Sequence, residues 1–333
     1  MQRKLDGSNG DNGLNRPSFS PIEASSSAEH VAILLSTYNG ASFLARQLDS
    51  LLAQSHQNWT IYASDDGSSD LTLKILENYR QRLGADRLKI FSGPRLGFAQ
   101  NFLSLLRRKS IQAPYFAFCD QDDVWHAEKL SNALSRLNAV LDPRPALYCS
   151  RTRLIDETGH PIGFSPLFLR SPSFENALVQ SIAGGNTMVM NQTARQLLAS
   201  TSVKASIISH DWWAYLLVSG CGGHVLYESC PQIDYRQHDA NLMGSNRHLK
   251  HRIQRFFKMF DGTFRLWNSE NLHALEPFEN LLTTTNRERL NAFRKARSES
   301  ALNRLAGFRK AGIYRQALLE NLVLTVAALF NRI

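Results

Sequence analysis

Four cysteines in 333 residues, at positions 119, 149, 221 and 230, form no CxxC pair and no metal-ligand spacing. Their neighbours are mostly apolar, so they read as free thiols, which excludes a disulfide framework and a cysteine-ligated zinc site. No basic-then-apolar stretch resembling a signal peptide opens the chain, and the expected location is therefore cytoplasmic. The apolar segment from Ala317 to Phe330 is 14 residues long. A membrane span needs about 20, so this segment suits attachment to a surface rather than insertion. There is no internal repeat, and no compositionally biased segment beyond residues 1–28, which are rich in Ser, Asn, Gly and Asp and read as a disordered tail. Nor is there zinc-finger spacing or an RNP-like aromatic motif, so no nucleic-acid partner is expected.

What remains is an ordinary globular composition, 43% hydrophobic, with one asymmetry of charge. The whole chain carries +9, and residues 241–333 hold 16 Lys and Arg against 7 Asp and Glu, which accounts for all of it. A neutral body therefore joins a basic C-terminal region suited to an anionic partner. Within that region His248 to Phe260 has Leu249, Ile253, Phe256, Phe257 and Phe260 on one stripe beside Lys250, Arg252, Arg255 and Lys258, the pattern of a basic amphipathic helix. Two uses compete: peripheral contact with an anionic membrane face, and packing on the body with Lys and Arg turned to water.

Short β-rich runs alternate with helical periodicity from Val31 onward. Strands are expected at Val31–Ser36, Trp59–Ser64, Leu88–Phe91 and Tyr115–Cys119, with helices over Ser42–Gln54, Leu71–Leu83 and Phe98–Leu106. Further strands are expected near 146–151, 187–190 and 224–227, and helices near 192–199 and 212–218. This alternation predicts an α/β fold with a parallel sheet flanked by helices, in which ligands bind at the carboxyl ends of the strands. Two acidic clusters fall there, Asp65-Asp66 and Asp120-Gln-Asp122-Asp123. Three carboxylates within four residues repel one another, and such a group commonly holds a hard divalent cation, Mg2+ or Mn2+, whose shell is completed by substrate phosphates. The same residues also suit a solvated turn capping the helix that starts near Ala127.

Four segments occur in order: Leu35-Ser-Thr-Tyr-Asn-Gly40, Ser64-Asp-Asp-Gly-Ser-Ser-Asp70, Asp120-Gln-Asp-Asp123 and His210-Asp-Trp-Trp213. Together they resemble family 2 glycosyltransferases of the GT-A (Rossmann-like) fold. Cys119-Asp-Gln-Asp-Asp-Val-Trp125, the His-Asp-Trp-Trp segment and Tyr235-Arg-Gln-His238 resemble the bacterial rhamnosyltransferase branch. The likeness spans about residues 30–245, and implies a glycosyltransferase domain over 29–243 followed by a helical basic region over 244–333. A sugar nucleotidyltransferase would instead open with a Gly-rich, Arg- and Lys-bearing phosphate loop, where this chain has Ser36-Thr-Tyr-Asn-Gly40.

The resemblance implies roles. Thr37, Tyr38 and Asn39 would lie beside the nucleotide base, although Tyr38 also suits packing, and Asp65 or Asp66 would accept the base imide N–H, a donor of uracil and thymine but not of cytosine. Either aspartate also suits a turn or helix cap. The donor implied is a dTDP- or UDP-sugar, with dTDP-L-rhamnose favoured, and the acceptor is a saccharide, free or lipid-linked, in bacterial surface polysaccharide (O-antigen type) assembly. A lipid-linked acceptor would place the protein peripherally at the inner face of the cytoplasmic membrane. Asp122 would ligate the metal and Asp120 would contact the ribose or a metal-bound water, while Asp123 has no assigned role. Asp211 would be the general base of an inverting transfer, in a motif where the family more often has Glu-Asp. Gly184, Gly185 and Asn186 would let an acceptor sugar approach the backbone, and Trp212 offers a face for sugar stacking, although paired tryptophans also suit a core. Arg236 would contact phosphate, His238 would contact phosphate or metal, and Arg95 would lie near the donor.

Overall fold

The computed structural model describes residues 29–238 and 261–333. The tail over 1–28, the helix expected over 248–260 and the boundary at 243/244 lie outside the described residues.

The chain opens with β1 (Val31–Thr37), α1 (Leu44–Leu52), β2 (Trp59–Asp65), α2 (Thr72–Leu83), β3 (Leu88–Ser92), α3 (Phe98–Arg107) and β4 (Tyr115–Cys119). It continues through β5 (Val124–Trp125), α4 (Lys129–Asn138), β6 (Ala146–Ser150), β7 (Arg153–Ile155), β8 (Pro161–Phe164), α5 (Phe174–Ala177), a 3-10 turn at Gly185–Thr187, β9 (Val189–Asn191), α6 (Gln192–Ala199), α7 (His210–Gly220), β10 (His224–Glu228) and β11 (Ile233–Arg236). After the undescribed stretch come α8 (Thr263–Leu275), a 3-10 turn at Glu276–Leu281, α9 (Thr284–Ser298), α10 (Ala301–Ala311) and α11 (Leu318–Leu329).

A seven-stranded sheet in the order β10-β6-β9-β4-β1-β2-β3 forms the centre. Its β1, β2, β3 and β4 pair in parallel, as do β6 and β10, and only β9 runs against its neighbours. The expected α/β class with a mostly parallel sheet is the one observed. Both faces are covered, which is why β1 reads as a continuous apolar run rather than an alternation. Val31, Ile33 and Leu35 point into a core shared with Leu48 of α1, Leu76 of α2 and Leu134 of α4. Ala32 and Leu34 point to the other side, where Phe102 of α3 and Trp213 of α7 pack.

A second sheet, β5-β11-β7-β8, has no counterpart in the sequence-based expectation. Its strands are two to four residues long, too short for periodicity to register. It brings the turn after β4 together with the Tyr235–His238 segment: β5 pairs antiparallel with β11 through Ile233 opposite Trp125.

The C-terminal helices share the core of the second face. Phe264, Leu275, Phe278, Phe293, Phe308 and Leu324 belong to the same buried cluster as Trp212, Trp213 and Phe174. For these helices, packing on the body is therefore an observed fact.

Candidate active site

Adjacent parallel strands in the order β4-β1-β2 place three strand ends side by side. Thr37 lies opposite Asp65, and Leu35 opposite Cys119, so Thr37–Asn39 is flanked by Asp65-Asp66 on one side and by Asp120–Asp123 on the other. Asn39 adopts a left-handed conformation at φ 47°, which Asn tolerates, and this turns the chain across the strand ends. Gln121 clamps the turn by accepting the Tyr38 amide at 2.8 Å and donating to the Tyr38 carbonyl at 2.9 Å. The Tyr38 ring is 59% exposed, so it is not a packed aromatic.

The two aspartates after β2 do different things. Asp65 borders a cleft of about 200 Å³ shared with Gly67, Ser68, Ile90, Phe91 and Arg95. Its Oδ1 accepts the amides of Gly67 and Ser68, and its Oδ2 accepts the hydroxyls of Thr37 and Ser68. All four acceptor positions of that carboxylate are therefore filled from within the chain. Asp66 accepts the amides of Arg95 and Gly97, one on each oxygen, and keeps acceptor capacity on both. Arg95 is itself left-handed at φ 60° and lies in the same cleft.

Beyond β4 the carboxylates separate by burial. Asp123 is fully buried, and it accepts the Asn186 side-chain amide at 2.5 Å and the Arg236 backbone N–H at 3.1 Å. It is the knot between the β4–β5 turn, the 184–187 turn and β11. Asp122 Oδ2 lies 2.8 Å from His238 Nε2. Asp120 has its pKa pushed up to about 8, first by burial and then by the negative charges of Asp122 and Asp211. Asp211, from the start of α7, is therefore near enough for its charge to act on Asp120. Asp211 stands in the first turn of α7 and accepts the Ser209 hydroxyl and the Trp212 amide.

Among the described residues no group of three or more His, Cys, Asp or Glu side chains is placed to hold a metal ion. One or two carboxylates nevertheless suffice for a hard divalent ion whose shell is completed by phosphate oxygens, and Asp122 beside His238, with Asp120 driven toward neutrality by burial and by the charges of Asp122 and Asp211, suits that arrangement.

Four expectations are corrected. Trp212 is buried and its indole donates to the Ala177 carbonyl, so it packs against Phe264 rather than offering a face to a sugar. Arg236 is 1% exposed and its guanidinium donates to the carbonyls of Asp122, Asp156 and Glu157, which makes it a brace for the loops rather than a phosphate contact. The missing side chain of Gly185 makes room for His210: a Cβ there would stand 2.0 Å from its Nε2. Asn186 is turned inward to Asp123, and of that turn only Gly184 is exposed.

Two residues escaped the sequence reading. Gln121 sits inside the acidic motif, where attention falls on the carboxylates. Lys129 is fully buried, with its ammonium 3.1 Å from the centroid of the Trp125 ring and its charge facing Cys119, Asp123 and Asp120. Burial pulls its pKa down to about 7. The signal was available: a lysine four residues before Ala133 and eight before Leu137 falls on the apolar stripe of α4.

Residues 32–189 match the family model described as "Glycosyl transferase family 2". The dTDP-rhamnosyl transferase RfbG of Shigella flexneri is 26% identical over 234 residues, covering 66% of this chain and 77% of that protein. The UDP-Glc:alpha-D-GlcNAc-diphosphoundecaprenol beta-1,3-glucosyltransferase WfgD of Escherichia coli is 30% identical over 108 residues, 32% of this chain and 40% of that protein. Among solved structures, S. aureus TarS 1-349 superposes with a TM-score of 0.49 at 14% identity, over 85% of this chain and 90% of that one.

Proposed function

Since the chain belongs to glycosyl transferase family 2, we propose that it transfers L-rhamnose from dTDP-L-rhamnose, with inversion, to a saccharide hydroxyl during bacterial surface polysaccharide assembly. What supports the reading is that Asp211, from the start of α7, lies near enough to Asp120 and Asp122, after β4, for the charges of Asp122 and Asp211 to act on Asp120, with the cleft of about 200 Å³ at the end of β2. The rhamnosyl donor draws on the likeness to RfbG and on the His-Asp-Trp-Trp and Tyr-Arg-Gln-His segments.

In this reading the base enters the cleft beside Asp65 and Arg95, over the Thr37–Asn39 turn. Its imide N–H is accepted by Asp66, which has lone pairs left where Asp65 has none. Asp120 and Asp122, with His238, would hold Mg2+ or Mn2+ against the diphosphate, which supplies neutralisation of the charge that develops on the leaving group. Asp211 takes the proton of the acceptor hydroxyl as that oxygen forms the new bond to the anomeric carbon. The bond from that carbon to the diphosphate breaks on the opposite face, and the electron pair leaves with dTDP. The acceptor is a saccharide, free or lipid-linked. In the lipid-linked case the basic C-terminal region would meet an anionic membrane face, where each Lys or Arg contributes about 1 kcal/mol.

Calorimetric titration of the full chain with dTDP, UDP, GDP and CDP, each with and without Mn2+, tests the reading. Metal-dependent binding of dTDP ahead of the others is expected. A preference for UDP would keep the transferase and replace the sugar with a UDP-hexose, and a chain that binds none of the four would overturn the reading.

A further inference from the structure

The last helix is apolar on both sides, and one side is covered. Leu324, Ala327 and Ala328 of α11 are buried in the common core. The other side carries Leu318 at 90% exposure, Leu319 at 63%, Leu322 at 61% and Leu329 at 40%, and Phe330 follows directly at 68%. Positions 318, 322, 325 and 329 recur at helical spacing, and Thr325 is the single polar residue among them. At 1.5 Å per residue the face runs for roughly 18 Å along the surface. A contiguous exposed apolar face of this kind marks an interaction site.

Charge identifies the occupant. Arg309 and Lys310, both exposed, close α10 a short connection before Leu318, and Arg332, also exposed, stands two residues beyond Phe330. An apolar strip with cations at both ends matches the boundary between acyl chains and anionic headgroups. A second copy of the chain would fit it poorly, since antiparallel pairing of two such faces sets cationic ends against cationic ends. With 12 residues the helix is too short to cross a bilayer and is suited to lying in its surface.

The helix and the segment before it are also fastened to α5 and the chain that follows it. Gln180 donates to Glu320 at 3.0 Å, Arg315 donates to the Val179 carbonyl at 2.8 Å, and Asn176 donates to the Tyr314 carbonyl at 3.0 Å. Four residues after Gln180 the chain enters the 184–187 turn, which Asn186 ties to Asp123.

We propose that the outward face of α11 is a membrane-docking surface that seats the protein on an anionic bilayer. This deepens the lipid-linked form of the function proposed above and rests on it. The test is co-sedimentation of the full chain with vesicles of phosphatidylethanolamine mixed with phosphatidylglycerol, and with vesicles of phosphatidylcholine alone. The mixed vesicles are expected to bind it, less at high salt, and the double variant Leu318→Glu/Leu322→Glu to bind at least about tenfold more weakly. Leu141→Glu, at a position 96% exposed in the turn after α4, should leave binding unchanged. Both leucines are solvent-facing, so the double variant should keep the wild-type melting temperature and nucleotide titration, which separates a failure of docking from a failure of the transferase reading. Wild-type protein that ignores anionic vesicles, or a double variant that binds them as well as wild type, overturns the proposal. So does a dimeric wild-type chain whose double variant sediments as a monomer.

Discussion

Asp211 and His210 are neighbours in sequence with opposite fates. Asp211 stays at the cleft, and its replacement by Asn removes the proton acceptor while keeping the shape. Turnover is expected to fall by about 10²- to 10⁴-fold with dTDP affinity unchanged, as read by a transfer assay beside calorimetry. His210 is 4% exposed, stacked on Phe102 at 4.0 Å between ring centroids and edged by Phe98 and Phe118. Neither ring nitrogen has a hydrogen-bond partner, and burial depresses the pKa to about 4. The folded chain thus keeps this imidazole neutral while the unfolded chain protonates it near 6.5. The unfolded state binds the extra proton between these values, so this group's contribution is fully present above about pH 6.5 and is lost as pH falls toward 4. His210→Phe keeps an aromatic ring in the cage, where the crowding against Gly185 acts equally at every pH, and removes the pH-dependent loss. Relative to wild type at pH 7.5, the variant should gain about 2 kcal/mol at pH 5, measured by urea denaturation at both values. A difference independent of pH would mean that the ring is not held neutral.

At the scale of elements, the sequence showed the α/β alternation well, because helices of nine or more residues and strands buried on both faces leave strong apolar signals. The expected strands β1 to β4 fall within a residue or so of those observed. The short second sheet was invisible, and with it the reason that Arg236 and His238 meet Asp122 and Asp123 across more than a hundred residues. The position of the acidic clusters at strand ends was legible, since it follows from the local pattern. The division of labour inside them was not: Asp123 became a knot and Asp66 kept free acceptor capacity only because of partners far away in sequence. The 184–187 turn makes the same point. Gly185→Ala would drive a methyl into the His210 ring and push apart the turn and the start of α7, at a cost of about 1–3 kcal/mol. Because Asp211 follows His210 directly, turnover should drop as well. Trimming the ring in Gly185→Ala/His210→Ala should recover part of the stability lost by Gly185→Ala alone, a coupling that a double-mutant cycle in urea reads directly. Additive losses would show that the two residues do not share the space.

For the whole molecule, charge suggested a neutral body with a separate basic region, whereas packing joins the two. Trp212 stacks near Phe264 at 6.1 Å between ring centroids, Trp213 meets Phe278 edge-on at 5.7 Å, and Asn286 donates to the carbonyls of Ser219 and Gly220 at the end of α7. The helix that supplies Asp211 is thus buried on its far side by α8, α9 and the turn between them. Each fully buried Leu or Phe contributes about 1.5–3 kcal/mol, and a chain ending at residue 260 loses Phe264, Leu272, Leu275, Phe278, Leu290 and Phe293 at once. That sum is as large as the whole stability of a typical domain, about 5–15 kcal/mol. The truncated chain should therefore show no cooperative thermal transition and no nucleotide binding, even though every proposed catalytic and metal-holding side chain remains in it. A truncated chain that melts cooperatively and still binds dTDP would mean that the sheet and its first seven helices fold alone, leaving the C-terminal helices an appended module.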